Sequence, residues 1–333
     1  MLPRGLRYAL VGCLLHASFT SARGVIIIPI VIDGASVFTA TFSFLIIFSI
    51  FTGFLFLASL GKVFGSKEEV PPDVSPIKYD VGRVYPWLSF LAVSLWWAQL
   101  ITYTVYVKNV LMNSPSTPFP VSAYTARFTL DQFTDLFMAA GALYLVHYRR
   151  TIHASTVAPS SAAKKAFDIA FLVVQLGIIC YTTAFLSISL NDDSIDNEDS
   201  YLNWLTSYYV YTAVYTLMAV NVTVTFVLSK KALKRNFIKD EPWAHASAVP
   251  GSMIAHAIFK IIIAAVYSQF ENPKIDYDGL RLFEVIALGF TYLLAQLGLV
   301  LAGSRNKEDD QRMKEIKRLE QEAAKGGHNH ESK

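Results

Sequence analysis

Lys260 stands in the middle of an apolar run, "MIAHAIFKIIIAAVYSQF", from Met253 to Phe270. A charge inside a membrane helix costs about 2.5–3.5 kcal/mol and usually turns toward the bundle to find a partner. His256 lies four residues earlier, one helical turn away on the same face. Asp131 and Asp135 are also four apart and share their face with Arg127. Glu284, Tyr208, Tyr211 and Gln99 add polar groups within other apolar runs. An amine, carboxylates, an imidazole and phenols can hold a structural ion pair, recognise an anionic or polar ligand, or pass a proton. Lys260, Asp135, Asp131, His256, Glu284, Tyr208, Tyr211 and Gln99 are therefore the candidate ligand-binding residues.

Depth sorts these candidates. A helix rises about 1.5 Å per residue, which puts Asp135 roughly 10 Å and Lys260 roughly 15 Å below the outer end of their runs. Asp135 is thus the expected partner of Lys260, with the shallower Glu284 second. Trp204, Tyr208, Tyr211 and Tyr215 recur at helical spacing, as do Ser89, Ala92, Trp96, Gln99, Tyr103 and Tyr106. Such stripes line aromatic cavities with hydroxyls at hand, and they also anchor helices at the membrane interface. The expectation is an outward-opening polar cavity with Lys260 and His256 near its floor.

The elements that must carry these residues are legible from composition. Of 333 residues, 53% are hydrophobic and 17% charged, against about 25% charged in soluble domains. Mean hydropathy is +0.38. A spanning helix needs about 20 predominantly apolar residues. Seven runs qualify: Ser36–Leu60, Pro86–Val107, Phe128–His147, Phe167–Leu190, Leu202–Leu228, Ser252–Phe270 and Leu282–Gly303. The expected fold is an all-α integral membrane bundle over residues 36–303. Its lipid-facing surface makes the bilayer the first partner.

Residues 1–22 have the form of a secretory signal peptide, with Arg4 and Arg7 ahead of a short apolar core and small Thr20 and Ala22 near a cleavage point. Residues 23–35 would then be an outer N-terminal segment. Residues 304–333 are a charged tail in which Met313, Ile316 and Leu319 make only a narrow apolar stripe.

Lys and Arg in short loops set orientation. They crowd the loops after the first run (Lys62, Lys67, Lys78, Arg83), the third (Arg149, Arg150, Lys164, Lys165) and the fifth (Lys230, Lys231, Lys234, Arg235, Lys239). The alternate loops are poor in them, and "NDDSIDNEDS" has none. This places the N-terminus outside, the C-terminal tail in the cytosol, and the chain in the secretory pathway, with the plasma membrane as the expected destination.

Other functions find little footing. The basic residues sit where topology already explains them, so nucleic-acid binding is not indicated. The chain has no phosphate-binding glycine loop, no histidine-rich metal cluster and no nucleophile beside a base at a familiar spacing. Neither an enzyme nor a cofactor is expected. Cys13 and Cys180, the latter inside a run, make no dependable disulfide. "NVT" at Asn221–Thr223 matches a glycosylation acceptor but lies inside the fifth run.

Seven spans with an outer N-terminus resemble G-protein-coupled receptors in topology, over about residues 36–303. Where the rhodopsin-like class carries an acidic-Arg-aromatic triplet, this chain reads "HYRR", His147 to Arg150, and its last run, "GFTYLLAQLG", has no proline. Microbial rhodopsins share the topology and hold retinal on a lysine of the last helix; here Lys260 is in the sixth. No family is assigned on these residues. The expected function is a receptor-like sensor of a small molecule through an outer-half polar and aromatic cavity, with cytosolic proteins meeting the basic inner loops and tail. A proton- or ion-coupled transporter and a non-signalling scaffold or accessory subunit are the alternatives.

Overall fold

The computed structural model describes residues 34–64, 81–82, 84–112, 121–152, 158–191, 198–235, 246–267 and 277–302. They form seven helices: α1 (Gly34–Phe64), α2 (Val84–Met112), α3 (Val121–Ile152), α4 (Ala162–Asn191), α5 (Glu198–Arg235), α6 (Ala248–Tyr267) and α7 (Tyr277–Ala302). The signal-peptide segment, residues 236–245 before α6 and the charged tail lie outside the described residues, while Lys230, Lys231, Lys234 and Arg235 extend α5 past its apolar run.

Local chemistry sets several helix ends. Pro86 and Pro250 fall within the first turns of α2 and α6, where a missing N–H costs nothing. Ser161 caps α4: its Oγ accepts from the Lys164 N–H at 3.2 Å, and its carbonyl takes the first helical bond from the Lys165 N–H. Gly82, ahead of α2, has φ of +72°, and a side chain there would strike the Tyr144 hydroxyl. The helices α4 and α5 begin before the apolar runs they contain, because polar residues at their ends continue the hydrogen-bond ladder.

Each helix packs on its sequence neighbours, and α7 returns to α1, closing a ring. The third helix also touches α5, α6 and α7, so it occupies the interior. Six helices are long and apolar enough to cross a membrane; α3 is the exception. Packing explains why. From Phe128 to Arg150 no residue of α3 is exposed, so its aspartates face protein rather than the surroundings. The other helices turn apolar faces outward, including Ile50, Phe51, Phe54 and Leu57 of α1 and Ile169, Val173 and Val174 of α4. A soluble monomer rarely exposes so much contiguous apolar surface, and a bilayer covers it. The chain is a multi-pass helical membrane protein.

Tight contacts close the ring. Ser59 and Thr52 of α1 donate to the carbonyls of Phe56 and Phe48, so their hydroxyls are satisfied within the helix. A side chain at Gly289 of α7 would collide with the Phe48 ring of α1. Lys62 of α1 donates to the Val300 carbonyl of α7.

Candidate functional site

The interior of α3 gathers the strongest polar cluster among the described residues. Asp131 and Asp135, one turn apart, aim at α6 and α7. Lys260 of α6 donates to Asp135 Oδ2 at 2.6 Å and to Asp131 Oδ2 at 2.8 Å. Tyr211 of α5 donates to Asp135 Oδ2 at 2.5 Å. Tyr292 of α7 sits 2.7 Å from Asp135 Oδ1 and 2.8 Å from Asp131 Oδ1. One ammonium and two phenols thus tie three helices, α5, α6 and α7, to the two carboxylates of α3.

Helical spacing produces this arrangement. Asp131 and Asp135 present adjacent rungs, and Lys260 reaches both because its flexible stem ends between them. His256, one turn from Lys260, lies beside the same carboxylates: its Nε2 is 3.8 Å from Asp135 Oδ1 and its Nδ1 is 2.8 Å from Thr291 Oγ1. The rings of Tyr211 and Tyr215 stand 5.1 and 5.0 Å from the Lys260 ammonium, within cation–π range. Trp96 packs on Tyr292 at 5.5 Å, and His256 on Tyr292 at 4.1 Å.

The cluster is enclosed. Lys260 and His256 are 1% exposed and Asp135 0%, while the Asp131 side chain keeps 16%. Lys260 therefore does not stand on the floor of an open cavity, as expected from the polar stripes; aromatic side chains fill that space. Low local dielectric strengthens each of these hydrogen bonds and raises the cost of losing one.

A second polar layer lies one turn nearer the end where α3 and α7 begin. Arg127 pairs with Glu284 at 3.1 Å, and its guanidinium lies 3.5 Å over the Tyr103 ring. Glu284 is therefore a partner of Arg127, not the second partner of Lys260. Tyr103 and the stacked Tyr106 also line a shallow cleft with Val37, Phe38, Thr41, Val107 and Arg281, whose interior of about 10 Å³ has room for no more than a water.

Sequence reasoning thus named five residues that the fold brings together: Lys260, Asp131, Asp135, His256 and Tyr211. Tyr208 is buried one turn from Tyr211 with its ring 6.0 Å from that of Phe128. Gln99 is buried on α2, and its Oε1 has no hydrogen-bond partner among the described residues. Tyr292 and Thr291 were not among the candidates. Tyr292 is eight residues from Glu284, hence on the same face of α7, and that spacing was the available signal.

At the opposite end, Asp168 of α4 accepts from Lys164 at 2.6 Å and from Asn221 at 2.8 Å, and it lies 2.8 Å from His147 Nε2. His147 Nδ1 lies 2.8 Å from Ser160 Oγ. This clasp joins α3, α4 and α5. The Lys164 pairing follows from its i−4 position. The Asn221 side chain of the "NVT" motif is spent inside the bundle on Asp168 and on Lys164 at 2.7 Å.

Among the described residues no group of His, Cys, Asp and Glu is arranged to hold a metal ion. Compared with protein-family models, with curated proteins and with solved structures, the chain matches none.

Proposed function

We propose that this chain is a receptor-like membrane sensor in which the Lys260 cluster holds one arrangement of the bundle. In this reading α3 is the seventh span, the N-terminus is outside and the tail cytosolic, and the protein works in the plasma membrane without catalysing a reaction. The single observation that carries the reading is a line of contacts. Cleft residue Tyr103 stacks on Arg127, Arg127 pairs with Glu284, and Arg127 stands one turn from Asp131, which holds Lys260. A small molecule binding over this shallow cleft from outside would have to open it, drawing Tyr103 or Arg281 toward itself. That shift would reach the carboxylates that tie α3 to α6.

A buried ion pair suits a switch better than a brace. Replacing such pairs by packed apolar residues is often neutral or stabilising, so their charge buys little net stability. Sensing requires a ligand to bind two bundle states unequally, and an arrangement held by a few directional bonds supplies a second state at modest cost.

The reading is tested without a known ligand. Spin labels at Thr151 of α3 and Ala248 of α6, both exposed, report the separation of the helices that Lys260 joins. Cys13 and Cys180 are first replaced by Ser. Lys260→Met should shift or broaden the distance distribution relative to wild type. A single unchanged distribution in Lys260→Met and in Arg127→Gln would contradict the sensor.

A further inference from the structure

The hydrogen count around Tyr292 does not close. Its phenol carries one hydrogen, yet its oxygen lies within hydrogen-bond distance of two carboxylate oxygens, Asp135 Oδ1 at 2.7 Å and Asp131 Oδ1 at 2.8 Å. With both aspartates ionised, one of these short oxygen–oxygen contacts has no hydrogen in it. Tyr211 cannot supply one, because its hydrogen goes to Asp135 Oδ2.

The hydrogen bonds of His256 point the same way. Thr291 Oγ1 donates its hydrogen to a backbone carbonyl of its own helix, Leu288 at 2.9 Å or Ala287 at 3.0 Å. It must then accept from His256, so Nδ1 carries the ring hydrogen. In the neutral ring Nε2 is bare. That atom is buried, has no hydrogen-bond partner among the described residues, and faces Asp135 Oδ1 at 3.8 Å. A lone pair confronting a carboxylate is repulsive; an N–H there is an ion pair.

Charge completes the case. Facing the cluster are Asp131 and Asp135 from α3, Lys260 and His256 from α6, Tyr211 and Tyr215 from α5, and Tyr292 from α7. Arg127 and Glu284 cancel one turn away. With His256 and the phenols neutral, two carboxylates and one ammonium leave one uncompensated negative charge, costly where water is excluded.

We propose that this cluster is a proton-binding site that takes up one proton beyond those of Lys260. The proton enters at Asp131, the least enclosed member, and fills the missing hydrogen between a carboxyl and the Tyr292 oxygen; His256 Nε2 is its deeper seat. The step balances. An O–H bond of hydronium breaks as an O–H bond forms on Asp131 Oδ1, which donates to the Tyr292 oxygen while the phenol hydrogen turns to Asp135 Oδ1. Transfer inward passes the phenol hydrogen to Asp135 as Asp131 gives its own to Tyr292. Asp135 then yields its proton to Nε2, across a gap that must shorten by about 1 Å or hold a water. The product is an imidazolium beside a carboxylate, and the cluster is neutral. The proposal deepens the sensor reading, and its regulatory consequence rests on it: loading the proton biases the bundle.

The test uses the full chain in lipid nanodiscs, with the proton itself as the probe. Infrared spectra across pH seek the carbonyl band of a protonated aspartic acid, identified in wild type by isotope-labelling the aspartate side-chain carboxyl. Nitrogen NMR of isotope-labelled histidine follows His256, assigned with His256→Gln. The proposal expects a one-proton transition in at least one of these signals, unchanged when sodium replaces choline in the buffer. It is overturned if every aspartate stays ionised and His256 neutral wherever the protein is folded. It is equally overturned if sodium displaces the transition, because a metal cation then supplies the missing charge. The spin-label distances separate this from the sensor reading. A transition without movement retains the proton site and sinks the sensor; movement in Lys260→Met without any transition does the reverse.

Discussion

Lys260 Nζ lies 2.6 Å from Asp135 Oδ2 in a site where the two side chains are 1% and 0% exposed. The bond joins the innermost helix, α3, to α6, and the same ammonium holds Asp131 at 2.8 Å. Three consequences follow from how these charges are shared. Removing the ammonium leaves two carboxylates facing each other. Removing one carboxylate leaves Lys260 a second partner. Removing a phenol leaves the charges paired but short of a hydrogen bond.

Tyr292→Phe therefore separates hydrogen bonding from charge. The ring still packs on Trp96 and His256, but the contacts to Asp131 and Asp135 disappear. A hydrogen bond to a charged group contributes about 1.5–3 kcal/mol, and thermal denaturation of the purified bundle should register a loss in that range. Tyr211→Phe, which removes one contact to Asp135, should cost no more than Tyr292→Phe.

Arg127→Gln should leave the inner cluster folded and disturb the layer above it. Glu284 loses its partner and Tyr103 its cation. Both members of that pair are partly exposed, so the destabilisation should be about 1 kcal/mol or less. A loss comparable to that of Lys260→Met would mean the two layers are one structural unit.

Much of this was legible in the sequence, for reasons that have limits. The pairing of Lys260 with Asp135 follows from depth and from the rule that buried charges find partners. The five-residue gathering follows from i,i+4 faces. Depth matches Glu284 to Arg127 as well, since both lie near the start of their helices. Tyr292 was missed because a tyrosine in an apolar run looks alike whether it faces lipid, core or a charge, and helix rotation decides between them. The apolar runs of α1, α2 and α4 to α7 mark helices that could cross a membrane. The aspartates that make α3 less apolar are the ones its neighbours bury, so its place is set by packing rather than by its own composition.

Gly289→Leu should break the α1–α7 contact, because any side chain there meets the Phe48 ring. Overpacking of this kind costs about 1–3 kcal/mol. Phe48→Ala in the same chain should recover part of the loss, which a melting comparison of the single and double variants reads directly.

The clasp at the far end offers an independent check on packing. Asp168→Ala takes one partner each from Lys164, Asn221 and His147, leaving the Lys164–Asn221 and His147–Ser160 contacts. These three groups are only half-buried, so the loss should be about 1 kcal/mol, and Asn221→Ala, which removes a single arm, should cost less. Because Asn221 is committed to this clasp, glycosidase treatment should leave the mobility of the protein expressed in a glycosylating host unchanged at that position.

The most direct measurement is a double-mutant cycle on Lys260→Met and Asp135→Asn, read as unfolding free energy of the purified bundle. Breaking a buried pair by removing one partner costs about 3–5 kcal/mol, so Lys260→Met should be strongly destabilising. Asp135→Asn should cost less, since Asp131 still holds the ammonium. The double variant should recover part of the loss, with a coupling above about 1 kcal/mol. Additive losses with no coupling, or a Lys260→Met chain as stable as wild type, would contradict the claim that Lys260 and the two aspartates form the bond holding α3 to α6.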